Sequence, residues 1–357
     1  MRITSLAAAV LAIAVAGYPV ARAIARDASA APNQGSPRGP MPPPGAPRNP
    51  PPDQQETPPP PQPPESGETL KVQTTVVNVF ATVRDHHNAI VSDLTKDDFK
   101  VYEDGVEQKV AYFTKEVDMP ISLAILMDTS GSMQEILGAE QDAASRFVHE
   151  VMRKKDEALV MSFDTDVNLL ADFTEDPGVL SRAIRRATIN VDASGVGGTV
   201  GTIPNGSSGG TNLYDAIYLA CHDELTNEAG RKAIVILTDA EDTGSKMSEG
   251  DAIESAQRAD SVIHILLITD PRATEGYGPG VASHMTQETG GRVINVRNEK
   301  ALEKAFDMIS EELRSQYVLG YSSTNTKHDG TFRKIKVEVN QPEVKVLARR
   351  GYYAPGG

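Results

Sequence analysis

Asp128, Ser130 and Ser132 stand at alternate positions in the run ISLAILMDTSGSM, three oxygen-bearing side chains directly after a largely apolar stretch. A carboxylate and two hydroxyls on one tight loop suit a hard divalent cation such as Mg²⁺, which takes oxygen ligands at about 2.1 Å in near-octahedral geometry and usually keeps several waters. Ile121 to Met127 reads as a strand buried on both faces, as in a parallel sheet flanked by helices. The three side chains then emerge at its carboxyl end, where open α/β sheets carry their ligand sites. The competing reading of a Ser/Asp cluster here is a helix N-cap, and one serine can serve both purposes.

Two further places supply oxygen ligands. Gly209-Gly210-Thr211-Asn212-Leu213-Tyr214-Asp215 puts a threonine hydroxyl at the mouth of a helix continuing through Ala216, Ile217, Leu219 and Ala220. Ala233-Ile234-Val235-Ile236-Leu237-Thr238-Asp239 is a second buried strand ending in a carboxylate. This order, DxSxS, then Thr, then a strand-terminal Asp, resembles the metal-ion-dependent adhesion site of von Willebrand factor type A domains. The resemblance implies that Asp128, Ser130, Ser132, Thr211 and Asp239 hold Mg²⁺ or Mn²⁺, with Ca²⁺ as a further candidate. Gly198-Thr199 is a weaker alternative for the loop ligand, because no amphipathic helix follows it.

The elements that must position these residues run from Pro120 to about Ser315 and alternate strand with helix. Ile136, Leu137, Ala143, Ala144, Phe147, Val148 and Val151 trace one helical face. Strand 157–163 is followed after a very short turn by 167–173, which makes that pair antiparallel. Helices at 177–188, after Thr211, at 248–258, around 279–289 and at 299–315 separate strands at 232–238, 261–267 and 291–296. The right-handed crossover rule gives a doubly wound, mostly parallel α/β sheet with one antiparallel edge strand. That architecture also belongs to the von Willebrand factor A fold.

Strand-like segments flank this region on both sides. Val72, Thr74, Val76, Asn78, Phe80, Thr82 and Val83 are followed by a turn at 85–88, then by a strand ending in an Asp104-Gly105 hairpin turn. Tyr317 to Tyr321, Phe332 to Val339 and Val344 to Leu347 supply three more strands. Neither set has enough strands to be stable alone, so segments 68–116 and 316–354 are expected to form one β-sandwich interrupted by the α/β domain at 117–315. The segments VSDLTKDDFKVYEDGVEQKVAYF, YVLGY, GTFRKIKVEV and ARRGYYAP around that domain resemble the bacterial VWFA-related family of the acidobacterial type.

Residues 1–30 have the form of an export signal, with Arg2, an apolar stretch from Leu6 to Ala16 and an Ala28-Ser29-Ala30 cleavage motif. An uncleaved membrane anchor is the rival, although Pro19 and Arg22 shorten the apolar stretch. Residues 31–67 are dominated by Pro, Gly, Ser, Asn and Gln and read as an extended tether. A net charge of −14 without any basic stripe argues against nucleic-acid binding. The one cysteine, Cys221, excludes an intrachain disulfide and lies in a helical apolar pattern, as a buried small side chain would. A Gly/Ser-rich stretch from Asp192 to Gly210 precedes Thr211 and reads either as a rim over the site or as a disordered loop.

Three motifs imitate enzymes. Asp242-Thr243-Gly244-Ser245 spells the aspartic protease tetrapeptide, but that chemistry needs a second such loop, and Asp128-Thr129-Ser130-Gly131 is not one. Phe163-Asp164-Thr165-Asp166-Val167 resembles the nucleophile loop of haloacid dehalogenases, yet the strand resumes directly after Asp166, so a hairpin turn is expected. Ser130 and Ser132 lie outside any G-x-S-x-G, and none of the seven histidines stands in a base-like context. The expectation is therefore a non-enzymatic, secreted or periplasmic cell-envelope module whose metal accepts an Asp or Glu from a partner protein. A membrane is a partner only if the leader stays attached. The alternatives are a metal-assisted hydrolase with Glu241 or Asp242 as base, and a structural envelope protein with a vestigial site.

Overall fold

The computed structural model describes residues 76–116, 119–189, 210–269 and 278–356. The expected leader and tether, and residues 192–209 of the Gly/Ser-rich stretch with Gly198-Thr199, lie outside them. Among the described residues no helix is long and apolar enough to cross a membrane.

The described residues begin with strands β1 (Val76–Arg84), β2 (Phe99–Glu103), β3 (Val106–Gln108) and β4 (Val110–Glu116). Asp104 and Gly105 link β2 to β3 with φ of 48° and 83°, the left-handed pair that an Asp-Gly hairpin turn needs. The α/β region follows: β5 (Ile121–Asp128), α1 (Leu137–Val151), β6 (Glu157–Phe163), β7 (Val167–Thr174), α2 (Pro177–Ile184), α3 (Leu213–Leu219), β8 (Arg231–Thr238), α4 (Glu249–Arg258), β9 (Ser261–Ile268), α5 (Gly278–Thr289), β10 (Val293–Val296) and α6 (Glu299–Arg314). The chain then closes with β11 (Gln316–Ser322), β12 (Phe332–Val339), β13 (Lys345–Ala348) and β14 (Gly351–Tyr353).

The central sheet has the order β10-β9-β8-β5-β6-β7. All its pairs are parallel except β6 with β7, so the expected antiparallel strand is at the edge. Every residue of β5 is buried, which explains its unbroken apolar sequence: one face packs under α1, α2 and α6, the other under α3, α4 and α5. The phenyl rings of Phe147 and Phe306 tie α1 to α6 with centroids 4.7 Å apart.

The two ends of the chain complete one sandwich. Its sheets are β13-β1-β11-β4 and β14-β12-β2-β3, so each mixes strands from before and after the α/β region. Both sheets feed one apolar core containing Val79, Val101, Leu319, Ile335 and Tyr352. Two strands, β4 and β14, went unread in sequence: neither has a clean alternation, and β4 pairs with β11, distant in the chain. Arg84 of β1 reaches Glu312 of α6 at 2.9 Å, and Arg349 reaches Asp260 at 2.5 Å, joining the sandwich to the α/β region.

Candidate metal site

The carboxyl ends of β5 and β8 are neighbours in the sheet, so Asp128 and Asp239 come to the same edge. Asp128 is fully buried. Its Oδ1 accepts from the Ser130 backbone N–H at 2.9 Å, and its Oδ2 accepts from the Thr238 hydroxyl at 2.6 Å. Burial pushes its carboxyl up to about 6, against the hydrogen bonds from Ser130 and Thr238, and the charge of Asp239 pushes the same way as burial.

Ser130 begins a short 3₁₀ turn, Gly131–Met133, that leads into α1. Its side chain makes no capping hydrogen bond, and α1 is preceded by Ile136 rather than a polar cap. The N-cap reading of the two serines is therefore not realised. Instead Ser130 Oγ and Ser132 Oγ lie 3.0 Å apart, Ser130 buried and Ser132 exposed.

Thr211 is held from both sides. Its N–H donates to Thr243 Oγ1 at 3.0 Å, and its carbonyl accepts from the N–H groups of Thr243 and Gly244. Next to it, Asn212 donates its N–H to the Asp164 carbonyl at 2.8 Å. Asp164 in turn accepts from Thr129 Oγ1 at 3.0 Å, which ties the β6–β7 turn to the loop carrying the serines. The Asp242-Thr243-Gly244-Ser245 sequence is thus a clasp for the Thr211 loop: Asp242 Oδ1 accepts from Tyr214 N–H and Ser245 Oγ. Phe163 to Val167 is the expected hairpin turn, closed by Asp166 N–H donating to Asp164 Oδ1 at 3.0 Å. Thr211 is buried.

Sequence reasoning missed three contributors. Thr238 looked like an ordinary β-branched strand residue, yet its hydroxyl joins two strand ends and accepts from Ala240 N–H at 2.9 Å. Ala240 takes a left-handed φ of 59°, a conformation that costs an L-residue about 1–2 kcal/mol and here turns the chain directly after Asp239. Glu140 sits in register with the apolar residues of α1 and was visible as a charge on the inner face of a helix. It is fully buried, and both carboxyl oxygens lack a hydrogen-bond partner. Burial first, and then the charges of Asp128 and Asp239, push it up to about 8.

The donors at this edge are two carboxylates and three hydroxyls, a set suited to a hard, oxygen-loving cation. Among the described residues no group of three or more His, Cys, Asp or Glu side chains is arranged to hold a metal ion, so hydroxyls and water would complete any coordination here. Beside the edge runs an open cleft of about 560 Å³ whose lining includes Thr165, Asp166, Asn212, Tyr218, Lys246 and Met247. Cys221 lies buried beyond α3, and burial pushes its thiol up to about 12, which leaves it an inert packing residue.

Residues 123–241 match the family model of the von Willebrand factor type A domain, a span that contains all five residues singled out in the sequence. No curated protein matches the chain. Among solved structures, the chain is similar to the conserved hypothetical protein BatB from Bacteroides thetaiotaomicron, at 19% identity over 55% of this chain and 100% of that one, with a TM-score of 0.42. A von Willebrand factor type A protein from Catenulispora acidiphila matches at 11% identity over 80% of this chain and 75% of its own, with a TM-score of 0.45. The vWF domain of the type V pili tip protein Mfa5 from Porphyromonas gingivalis matches at 14% identity over 56% and 96%, with a TM-score of 0.40. Such identities carry no residue roles across.

Proposed function

We propose that this von Willebrand factor type A domain is an extracytoplasmic binding module that captures an acidic side chain of a partner protein through Mg²⁺ or Mn²⁺. The observation that carries the reading is the meeting of Asp128, Ser130, Ser132 and Asp239 at one sheet edge, with the Thr211 loop clasped beside them. Asp128 and Asp239 would supply the negative charge that retains the ion, and the hydroxyls of Ser130, Ser132 and Thr211 would complete its protein ligands. When bound, the cation supplies an open coordination position for an incoming carboxylate. Neutral hydroxyls leave it electron-poor enough to accept one.

The chain's own residues prepare the site. Thr238 fixes one oxygen of Asp128 and the Ser130 N–H the other, so the carboxylate is held in place beforehand, at low entropic cost to the ion that binds. The cleft beside the edge gives room for the residues flanking the captured carboxylate. Export rests on the leader at 1–30.

A hydrolase would need a free general base beside the ion. Asp242 spends its carboxylate on Tyr214 and Ser245, which disfavours it as that base and leaves Glu241 as the other candidate. The test is capture from envelope extract by the wild type and by Asp239→Ala. Capture that requires Mg²⁺ and disappears with the variant supports the reading; capture indifferent to chelator and to the substitution contradicts it.

A further inference from the structure

Glu140 poses a physical problem that the five ligands leave open. It occupies the fourth residue of α1, three positions after Leu137 and three and four before Ala143 and Ala144, all packed in the same core. Such a position calls for an apolar side chain. The carboxyl is fully buried, and neither oxygen has a hydrogen-bond partner among the described residues. Burying a carboxylic acid without a partner is costly, and burying its ionised form costs far more. A native buried group of this kind usually marks a water or an ion that satisfies it.

The neighbouring charges sharpen the point. Those acting on Glu140 are Asp128 and Asp239, both acids. Three carboxyls therefore converge behind one sheet edge, and their mutual repulsion opposes ionisation of any of them. A lysine or arginine would be the usual remedy. Among the described residues no positive charge acts on Glu140, and a divalent cation held by Asp128 and Asp239 is placed to compensate the three acids. Direct coordination by all three acids is not what the geometry offers, since no three of them form a metal-holding group among the described residues.

We propose that Glu140 is a positioning residue of the cation site, which accepts a hydrogen bond from a water of the cation's shell and adds its negative charge from beneath Asp128 and Asp239. The inference rests on the functional reading above. Groups of this kind orient what the direct ligands hold, and removing one typically costs 10–100-fold in metal affinity. The same cation would relieve the repulsion among the three acids, which tightens its binding and so raises the stability it confers on the folded protein.

Mg²⁺ and, separately, Mn²⁺ titrated calorimetrically into the full chain test this, alongside melting with and without chelator. Glu140→Gln keeps the shape and removes the charge. It should weaken Mg²⁺ binding by about tenfold or more, shrink the Mg²⁺-induced rise in melting temperature, and leave the melting temperature in chelator equal or higher. A residue with a merely structural role would lower the melting temperature in chelator and leave affinity alone. Glu140→Met, apolar and of similar length, serves if the glutamine variant does not fold, with the same expected loss of affinity. Unchanged Mg²⁺ affinity in the folded variant overturns the proposal while wild-type binding preserves the metal-site reading. Absence of Mg²⁺ and Mn²⁺ binding in the wild type overturns both.

Discussion

The Thr238 hydroxyl donates to Asp128 Oδ2 at 2.6 Å, linking the last residues of two adjacent parallel strands. With the Ser130 N–H on Oδ1, the bond fixes the orientation of the carboxylate before any ligand arrives. Thr238→Val keeps the shape and removes this donor. The expected result is a several-fold loss of Mg²⁺ affinity by calorimetry and a loss of about 1.5–3 kcal/mol in chemical denaturation, the range for a hydrogen bond to a charged group. An affinity equal to that of the wild type would show that Asp128 needs no such anchor.

Gly244 lies against the Thr211 loop so closely that a Cβ would overlap Asn212 Oδ1. Gly244→Ala should therefore push the Asn212 side chain off the Thr165 carbonyl and so loosen the clasp formed by Thr243 and Gly244 around the Thr211 backbone. Hydrogen exchange should report faster exchange at Thr211, Thr243 and Gly244, with the amides of β5 and β8 unchanged, and Mg²⁺ affinity should fall. Unaltered exchange at those three amides would contradict the clasp.

Much of this was legible in the sequence because the informative signals are local. The apolar run of β5 and the strand ending in Asp239 both announce strands buried on two faces, and the residues directly after them must lie at the ligand edge. The three-residue turn at 164–166 forces β7 antiparallel. Thr238 was illegible because a threonine in a strand looks the same whether its hydroxyl is idle or bonded to a neighbouring strand. The clasp role of Asp242 to Ser245 was hidden for a similar reason: its partners lie about 30 residues away, and the tetrapeptide more readily suggests chemistry than loop packing. The sandwich was legible only as an expectation of pairing, since register between β1 and β11 is set by contacts across more than 200 residues.

Glu103 tests that pairing. Buried in the sandwich, it accepts hydrogen bonds from Tyr321 at 2.8 Å and Tyr352 at 3.0 Å and from Ser323, and it faces Arg333 at 3.4 Å. All four partners come from the C-terminal segment, whereas Glu103 belongs to the N-terminal one. Glu103→Leu leaves Arg333 buried without its anion and should cost about 3–5 kcal/mol in urea denaturation. Protection should be lost together in β1, β2, β11 and β12. A cost under about 1 kcal/mol would mean that the network contributes little to joining the ends of the chain.

The pH dependence of the metal-free protein follows from Glu140 and Asp128. Both carboxyls are raised in the fold, to about 8 and about 6 from 4.5 and 3.8. Between the unfolded and folded values the native chain keeps a proton that the unfolded chain releases, so stability falls as pH rises. In chelator, unfolding free energy should decrease from pH 5 to pH 8 by roughly 3–5 kcal/mol, mostly through Glu140. Glu140→Gln should remove most of that slope. A slope unchanged by the substitution would place its origin elsewhere.

Calorimetric titration of Mg²⁺ into the wild type and into Asp239→Ala addresses the central claim most directly. The aspartate lies beyond the end of β8, whose apolar residues hold the strand, so unfolding in chelator should differ little between the two proteins. The wild type should bind one Mg²⁺, and Asp239→Ala should lose most of that affinity while remaining folded. Equal binding by both proteins, or no binding by the wild type, would contradict a cation site at this sheet edge.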